Sequence, residues 1–192
     1  MGIADDVRSI YGFLDDGECT LLNQMAANCG GGVIVEIGNF QGKSTVALAK
    51  GAQMCGARVY TIDPHNAYQV TADTHYGDEN YEALLANLAA YGVADTVKVI
   101  KKTSIDAFAD WKKPIDLLWI DGSHEYEDVK QDFITWSKFV TGYIAMHDTT
   151  GNHPGVSRFL NELLSGELVQ MDAWRIIERV NATAVLERVV ND

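Results

Sequence analysis

Two short segments in the second half of the chain each combine a carboxylate with a histidine at the end of an apolar run. Asp121 and His124 follow one run, and His147 and Asp148 follow the next. Two carboxylates that converge repel each other unless a cation or a proton lies between them, and carboxylate oxygens suit magnesium, calcium or manganese. A cation lowers the pKa of a bound hydroxyl group, and a nearby base can remove its proton. The chain therefore has candidates for both ways of making a hydroxyl group nucleophilic.

The elements that must position these residues are predicted from apolar runs that alternate with helical patterns. Strands are predicted at 33–37, 58–63, 97–101, 115–120 and 143–146, and an antiparallel hairpin at 174–180 and 183–190. Strands that alternate with helices form a parallel sheet with helices on both faces. The predicted fold class is α/β, a Rossmann-like doubly wound sheet, mostly parallel, with a C-terminal antiparallel hairpin. Ligands bind beyond the carboxyl ends of such strands, where this chain carries Glu36, Asp63, Thr103, Ser104, Asp121 and Asp148.

Length and composition limit the classes of protein. We interpret the 192 residues as one domain, with residues 1–31 as a helical extension and 32–192 as the core. The net charge of −12 opposes a nucleic-acid partner, because phosphate binding needs a basic face. No apolar run reaches the roughly 18 residues of a membrane span, and the acidic start is unlike a signal peptide. Three cysteines without metal-ligand spacing indicate a reducing compartment, so we expect a cytoplasmic protein without a membrane partner.

The N-terminal extension has two predicted helices, at about 3–13 and 17–29. They either cover the site or pack on a partner subunit, and the lack of a separate cap domain is compatible with a homodimer. The polar loop at 64–78 and the segment at about 150–154 are the other elements expected to select a substrate.

The glycine turn after the first strand is compatible with three ligands in principle. Gly38 and Gly42 have three residues between them, whereas a P-loop needs four, and Glu36 would oppose a triphosphate. A dinucleotide fingerprint needs glycine where Phe40 stands. A cationic sulfonium cofactor has no phosphate and tolerates Glu36, while Asp63 is placed to accept ribose hydroxyls. The turn therefore favours S-adenosylmethionine.

Four motifs together resemble a known family. Glu36-Ile-Gly-Asn-Phe-Gln-Gly42 resembles the E-x-G-x-x-x-G turn of the class I S-adenosylmethionine-dependent methyltransferases. Asp121-Gly-Ser-His-Glu-Tyr126, Gly142 with Ile144, and His147-Asp148 resemble the D-G-x-H-x-Y … G-x-I … [EH]-D pattern of one subfamily. That subfamily contains macrolide-sugar O-methyltransferases and cephalosporin hydroxylase-like proteins. The resemblance covers about residues 33–150.

The resemblance implies a single methyltransferase domain that moves a methyl group from S-adenosylmethionine to a hydroxyl group of a small molecule. The turn backbone would hold the methionine part of the cofactor, Asp63 the ribose, and the Thr103–Ser104 region the adenine. The expected cofactor contacts are Glu36, Gly38, Asn39, Phe40, Gly42, Ser44, Thr45, Asp63, Thr103, Ser104 and Asp121.

The resemblance also implies roles for the second cluster. Aspartates matching Asp121 and Asp148 ligate a divalent metal in the related enzymes, and magnesium is the expected ion. His147 stands where relatives often carry glutamate, so it is a third ligand, favours a softer metal or points away. His124 matches the proposed general base.

Two alternatives stay open at this point. One is a metal-independent methyltransferase that acts on oxygen or nitrogen. The other is a protein that binds S-adenosylmethionine without catalysis.

Overall fold

The computed structural model describes residues 2–66, 68–71, 74–168 and 173–189, with the backbone alone at 68–71 and 74–76. The helices are α1 (Ile3–Val7), α2 (Asp16–Ala27), α3 (Lys43–Cys55), α4 (Asp78–Ala90), α5 (Ser104–Phe108), α6 (Tyr126–Trp136) and α7 (Pro154–Ser165). The strands are β1 (Val33–Ile37), β2 (Arg58–Ile62), β3 (Tyr68–Thr71), β4 (Thr74–Tyr76), β5 (Val97–Ile100), β6 (Ile115–Ile120), β7 (Val140–Met146), β8 (Trp174–Val180) and β9 (Thr183–Arg188).

Seven strands form one mixed sheet in the order β5-β2-β1-β6-β7-β9-β8. The first five of these pair in parallel, and β9 pairs antiparallel with both β7 and β8. The central strands are apolar on both sides because helices cover both faces; Ile34, Val35, Leu117 and Leu118 are completely or almost completely buried. The predicted fold class is confirmed.

Strand register places the site residues along one edge of this sheet. Ile37 is aligned with both Ile62 and Ile120, and Ile120 is aligned with Met146. The residue that follows each of these strand ends therefore lies at the same carboxyl edge, although the four come from distant parts of the sequence.

The N-terminal segment differs from its prediction. The first helix ends at Val7 instead of continuing to about residue 13. Gly12 disfavours a helix, and the chain passes close to α3 there, because a Cβ at Gly12 would lie 3.1 Å from the Cβ of Lys43. Ile10 and Leu14 are buried on either side of this crossing. The residues between them lie over the carboxyl edge of the sheet.

The segment predicted as a polar loop at 64–78 contains the small antiparallel hairpin of β3 and β4. Residues 67, 72 and 73 of this segment lie outside the described part of the chain. No helix in the described part is long and apolar enough to cross a membrane.

Candidate active site

A cavity of about 610 Å³ opens at the carboxyl edge of β1, β2, β6 and β7, a volume typical of sites for small ligands. Most of the predicted site residues line it: Gly38, Asn39, Phe40, Ser44, Asp63, Thr103, Ser104, Asp121, His124, His147 and Asp148. The cavity is also lined by side chains that were not among the predicted site residues, including Tyr11, Phe13, Asp132 and His153.

The glycine turn forms one wall, and its backbone requires glycine at position 38. Gly38 has a φ of 85°, and a Cβ there would lie 2.1 Å from the carbonyl oxygen of Asp121. Both facts exclude a side chain. The turn and the loop after β6 therefore touch backbone to backbone, which brings the two halves of the predicted site together.

Glu36, which was predicted to contact a cofactor, has a side chain that is buried beneath the turn and not exposed to the cavity. Its side chain is 0% exposed and accepts hydrogen bonds from Ser44 Oγ at 2.5 Å and Thr45 Oγ1 at 2.6 Å. Burial raises the pKa of Glu36 to about 7. The cavity-lining residues of the described chain do not include Glu36, Gly42 or Thr45. The Glu36 carboxylate points inward instead and holds the start of α3 under the turn.

Asp63 joins the turn to the end of β2. Its Oδ2 accepts the backbone N–H groups of Asn39 at 3.1 Å and Phe40 at 3.4 Å, and its Oδ1 accepts that of His65 at 2.9 Å. A carboxylate has about four acceptor positions, so one is left for a ligand in the cavity.

Buried polar atoms without partners lie beside this carboxylate. Within the described residues, no hydrogen-bond partner is found for Asn39 Oδ1 or for either ring nitrogen of His65. Both side chains line the cavity, and burial lowers the pKa of His65. Because buried polar groups are normally paired, these atoms are candidates for contact with a bound molecule.

The end of β5 supplies another polar wall. Thr103 Oγ1 accepts the backbone N–H of Asp106 at 3.1 Å and so begins α5, while Ser104 donates to Asp132 of α6. Burial raises the pKa of Asp132 to about 6. A sequence signal for Asp132 exists, because it lies at helical spacing from Val129 and Trp136 and therefore on the buried face of α6.

The predicted carboxylates and histidines converge around Asp148. His147 Nδ1 lies 3.2 Å from Asp121 Oδ1 and 3.3 Å from Asp148 Oδ2. His124 Nε2 lies 2.9 Å from the same Asp148 oxygen, and His153 Nε2 lies 3.6 Å from Oδ1. Two groups of ligand-type atoms with mutual distances within 4.8 Å result: Asp121, His147 and Asp148, and His124, Asp148 and His153. His147 thus points into the cluster and not away from it.

A third carboxylate, which sequence reasoning missed, reaches the other side of His147. Glu18 of α2 is 2% exposed, and its carboxylate lies 3.3 Å from His147 Nε2. Its only sequence signal is its place three residues after Asp15, where a glutamate commonly completes a capping box. That pattern predicts the start of α2 but gives no indication of a contact with His147.

The pKa shifts follow from this arrangement. Burial alone would lower the pKa of His147, but its contacts with Asp121, Asp148 and Glu18 raise it to about 12. Burial alone would raise the pKa of Asp148, but hydrogen bonds from His124 and His147 lower it. Burial raises the pKa of Asp121, and the hydrogen bond to Asp148 raises that of His124. The cluster therefore stabilises positive charge between its carboxylates.

Aromatic side chains form the rim of the cavity. The ring centroid of Tyr11 lies 5.7 Å from those of Phe13 and Phe40, and the rings of Phe13 and Phe40 stack at 5.9 Å. Tyr11 and Phe13 are 57% and 62% exposed. The N-terminal extension therefore lines the site, which is one of the two possibilities left by the sequence.

The mixed seven-stranded sheet with a cavity at its carboxyl edge defines a Rossmann-like α/β protein. A family model described as "Methyltransferase domain" matches residues 35–149, more than half of the chain. The chain belongs to this methyltransferase family, so the recognition made from its motifs is confirmed.

Solved structures share this fold at low sequence identity. A cofactor-bound protein from MTB is 22% identical with a TM-score of 0.69, and the match covers 96% of this chain and 85% of that one. The O-methyltransferase TomG of Streptomyces achromogenes, involved in tomaymycin synthesis and solved in complex with SAM, is 20% identical with a TM-score of 0.68, covering 98% and 88%. An O-methyltransferase from Bacillus cereus in complex with SAH is 18% identical with a TM-score of 0.64, covering 96% and 90%.

Among curated sequences, an uncharacterized protein of Sinorhizobium fredii is 34% identical over 77 residues. These residues are 38% of this chain and 8% of the relative, so the chain spans less than a tenth of that protein's length.

Proposed function

We propose that this protein transfers a methyl group from S-adenosylmethionine to a hydroxyl group of a small molecule, with a divalent cation held by Asp121, His147 and Asp148. The observation that carries the proposal is the convergence of His147 Nδ1 with one oxygen of each aspartate, in a cavity that also contains the glycine turn and Asp63.

The charge around the cavity suits a cationic cofactor. Its lining includes Asp63, Asp121, Asp132 and Asp148, whereas the lysine beside the turn, Lys43, donates to the backbone carbonyl of Leu14 at 2.7 Å. A lysine held in that way does not offer its charge to a phosphate. The ammonium and sulfonium groups of S-adenosylmethionine, in contrast, are attracted by the carboxylates.

Polar atoms without partners suit the same cofactor. The remaining acceptor position of Asp63 fits a ribose hydroxyl. Asn39 Oδ1 and the His65 nitrogens, for which the described residues offer no partner, lie on the same wall. Ser104, after the end of β5, and Asp132 of α6 supply a hydroxyl and a carboxyl group for the adenine edge.

The donor set also suits a divalent cation. A neutral imidazole whose Nε2–H donates a hydrogen bond to Glu18 has its Nδ1 lone pair directed at two carboxylate oxygens, and a cation among these three atoms would offset their repulsion. Such a cation would hold the acceptor oxygen and lower the pKa of its hydroxyl group.

His124 is the proposed general base that receives the acceptor's proton. Its Nε2 is hydrogen-bonded to Asp148 at 2.9 Å, which orients the ring, and it lines the cavity. The acceptor oxygen forms its bond to the methyl carbon while the bond from that carbon to sulfur breaks, and the hydroxyl proton passes to His124. S-adenosylmethionine supplies a methyl group that is already activated.

A metal-independent enzyme is the second candidate. It is favoured by the high pKa of His147, because an imidazolium can neutralise Asp121 and Asp148 in place of a metal. Methyl transfer to oxygen or nitrogen would then rest on positioning and on His124.

Calorimetry tests the cofactor and the metal separately. S-adenosylmethionine is titrated into the wild type and Asp63→Ala, with Asp95→Ala, an exposed aspartate, as the matched control. Asp63→Ala should bind S-adenosylmethionine roughly 10- to 150-fold more weakly than the wild type, because loss of a hydrogen bond to a charged group costs about 1.5–3 kcal/mol. No binding by the wild type would refute the cofactor assignment.

Methyl transfer to a panel of hydroxylated small molecules is then measured with metal, with chelator and with Asp121→Ala. We expect methyl transfer by the wild type with metal, and loss of this transfer with chelator or in Asp121→Ala. Transfer that survives both chelator and Asp121→Ala would favour the metal-independent enzyme. Cofactor binding without transfer to any acceptor would favour a protein that binds the cofactor without catalysis.

A further inference from the structure

The buried carboxylate of Glu18 is held from several sides. Its Oε2 accepts the backbone N–H of Asp15 at 3.1 Å. Its Oε1 accepts the backbone N–H of Ala182 at 3.1 Å and the hydroxyl of Thr183 at 3.0 Å. The start of α2 and the turn between β8 and β9 therefore fix this side chain before His147 is considered.

A fixed carboxylate at Nε2 determines how the His147 ring presents its other nitrogen. Nε2 lies 3.3 Å from Glu18, and the ring is 7% exposed, so rotation would leave a buried carboxylate without this partner. The ring is thus held with Nδ1 toward Asp121 and Asp148. Carboxylates that accept the second N–H of a histidine are the usual means of orienting a histidine ligand and setting its tautomer.

We propose that Glu18 is the positioning residue for His147 as a nitrogen ligand, and that this nitrogen shifts the site from magnesium toward first-row transition metals such as manganese, cobalt or zinc. The proposal rests on the proposed function, since it concerns the cation of the same site. Magnesium takes oxygen ligands in strict octahedral geometry, whereas imidazole suits zinc and its neighbours.

The contact between Glu18 and His147 also connects the N-terminal extension to the proposed cation site. Glu18 lies more than a hundred residues before the three ligands in the sequence. The proposed cation site therefore has its positioning residue in place only when α2 packs on the core and the β8–β9 turn contacts Glu18.

The test compares metal affinities of the wild type with those of Glu18→Gln and His147→Glu. Magnesium, manganese and zinc are titrated calorimetrically, and the visible absorption of bound cobalt reports the ligand type. Most donor sites bind zinc more tightly than magnesium, so the informative quantity is the change in the zinc-to-magnesium affinity ratio between variants. A thermal melt of each variant confirms that it is folded.

We expect Glu18→Gln to weaken zinc and manganese binding about 10- to 100-fold, as is usual for loss of a partner of a ligating histidine. Asp16→Asn is the matched control, because Asp16 lies in the first turn of the same helix, is exposed, and pairs with Arg8 at 2.7 Å. It should leave metal affinity nearly unchanged. If Glu18→Gln does not fold, His147→Glu carries the test alone: its zinc-to-magnesium ratio should fall at least about tenfold, and the cobalt spectrum should change.

Equal metal affinities in Glu18→Gln and Asp16→Asn, or an unchanged ratio and cobalt spectrum in His147→Glu, would overturn the inference while leaving a metal-dependent enzyme intact. Absence of any divalent-ion binding by the wild type would overturn both the inference and the metal part of the proposed function. Cofactor binding, measured separately, would still stand.

Discussion

Replacing Glu36 with glutamine tests whether burial or hydrogen bonding controls this carboxyl group. Ser44 and Thr45 donate to its two oxygens at 2.5 and 2.6 Å, and such bonds favour the ionised form. Complete burial favours the neutral form and prevails, raising the pKa from its ordinary 4.5 to about 7. The two effects predict opposite responses of stability to pH.

The magnitude follows from linkage. A group with a raised pKa in the folded chain contributes its full stability below the unfolded pKa, and this contribution is lost as the pH rises through the folded pKa. For Glu36 the window runs from 4.5 to about 7, and the total loss is about 3 kcal/mol. Between pH 5.5 and 8.5, about 2 kcal/mol of this loss remains to be observed.

Urea unfolding followed by circular dichroism measures the effect at several pH values from 5.5 to 8.5, a range that avoids the isoelectric point near 4.7. Glutamine at position 36 stays neutral, so the stability of Glu36→Gln relative to wild type should rise by about 2 kcal/mol across this range. Glu82→Gln, at an exposed position of α4, should show no such trend. Parallel pH profiles for Glu36→Gln and wild type would refute the reasoning, because they would mean that the two hydroxyl groups offset the burial.

Two further predictions concern the turn and the rim. Gly38→Ala and Gly56→Ala both introduce a Cβ at positive φ, but only Gly38 meets a backbone oxygen at 2.1 Å; Gly38→Ala should cost about 1–3 kcal/mol more in urea unfolding, and equal losses would contradict this close contact. Phe13→Ala should leave the thermal midpoint unchanged because Phe13 is 62% exposed, yet weaken cofactor or acceptor binding about 2- to 12-fold in calorimetry. Met54→Ala, at an exposed position that is not among the cavity-lining residues of the described chain, is the control, and an equal effect there would argue against a role for the rim.

The sequence predicts the sheet and its carboxyl edge well because both depend on local patterns. Apolar runs gave β1 and β6 at their observed bounds, and the residues that follow the strands lie together because parallel strands end at one edge. Asp121, His147 and Asp148 were found in this way.

Glu18 and Glu36 show where that reasoning ends. The contact between Glu18 and His147 joins residues 129 positions apart, and no spacing rule relates them. Glu36 matched a motif, but its direction depends on the hydroxyl groups of Ser44 and Thr45, which turn it away from the cavity. Position at a strand end identified the edge of the site without giving the orientation of each side chain.

Backbone strain and the C-terminal hairpin explain how the fold maintains the site. Of the four non-glycine residues with positive φ in the described chain, Phe40, His65 and Asp148 line the cavity, and such conformations persist only where surrounding contacts impose them. For Asp148 these contacts come from the hairpin: the next residue, Thr149, gives both its N–H, at 2.9 Å, and its hydroxyl, at 2.8 Å, to the carbonyl oxygen of Ala182. The same turn fixes Glu18 through the Ala182 N–H. The antiparallel hairpin therefore holds Asp148 and the partner of His147 at once, and a change in this turn should disturb the proposed cation site although no residue of the turn belongs to it.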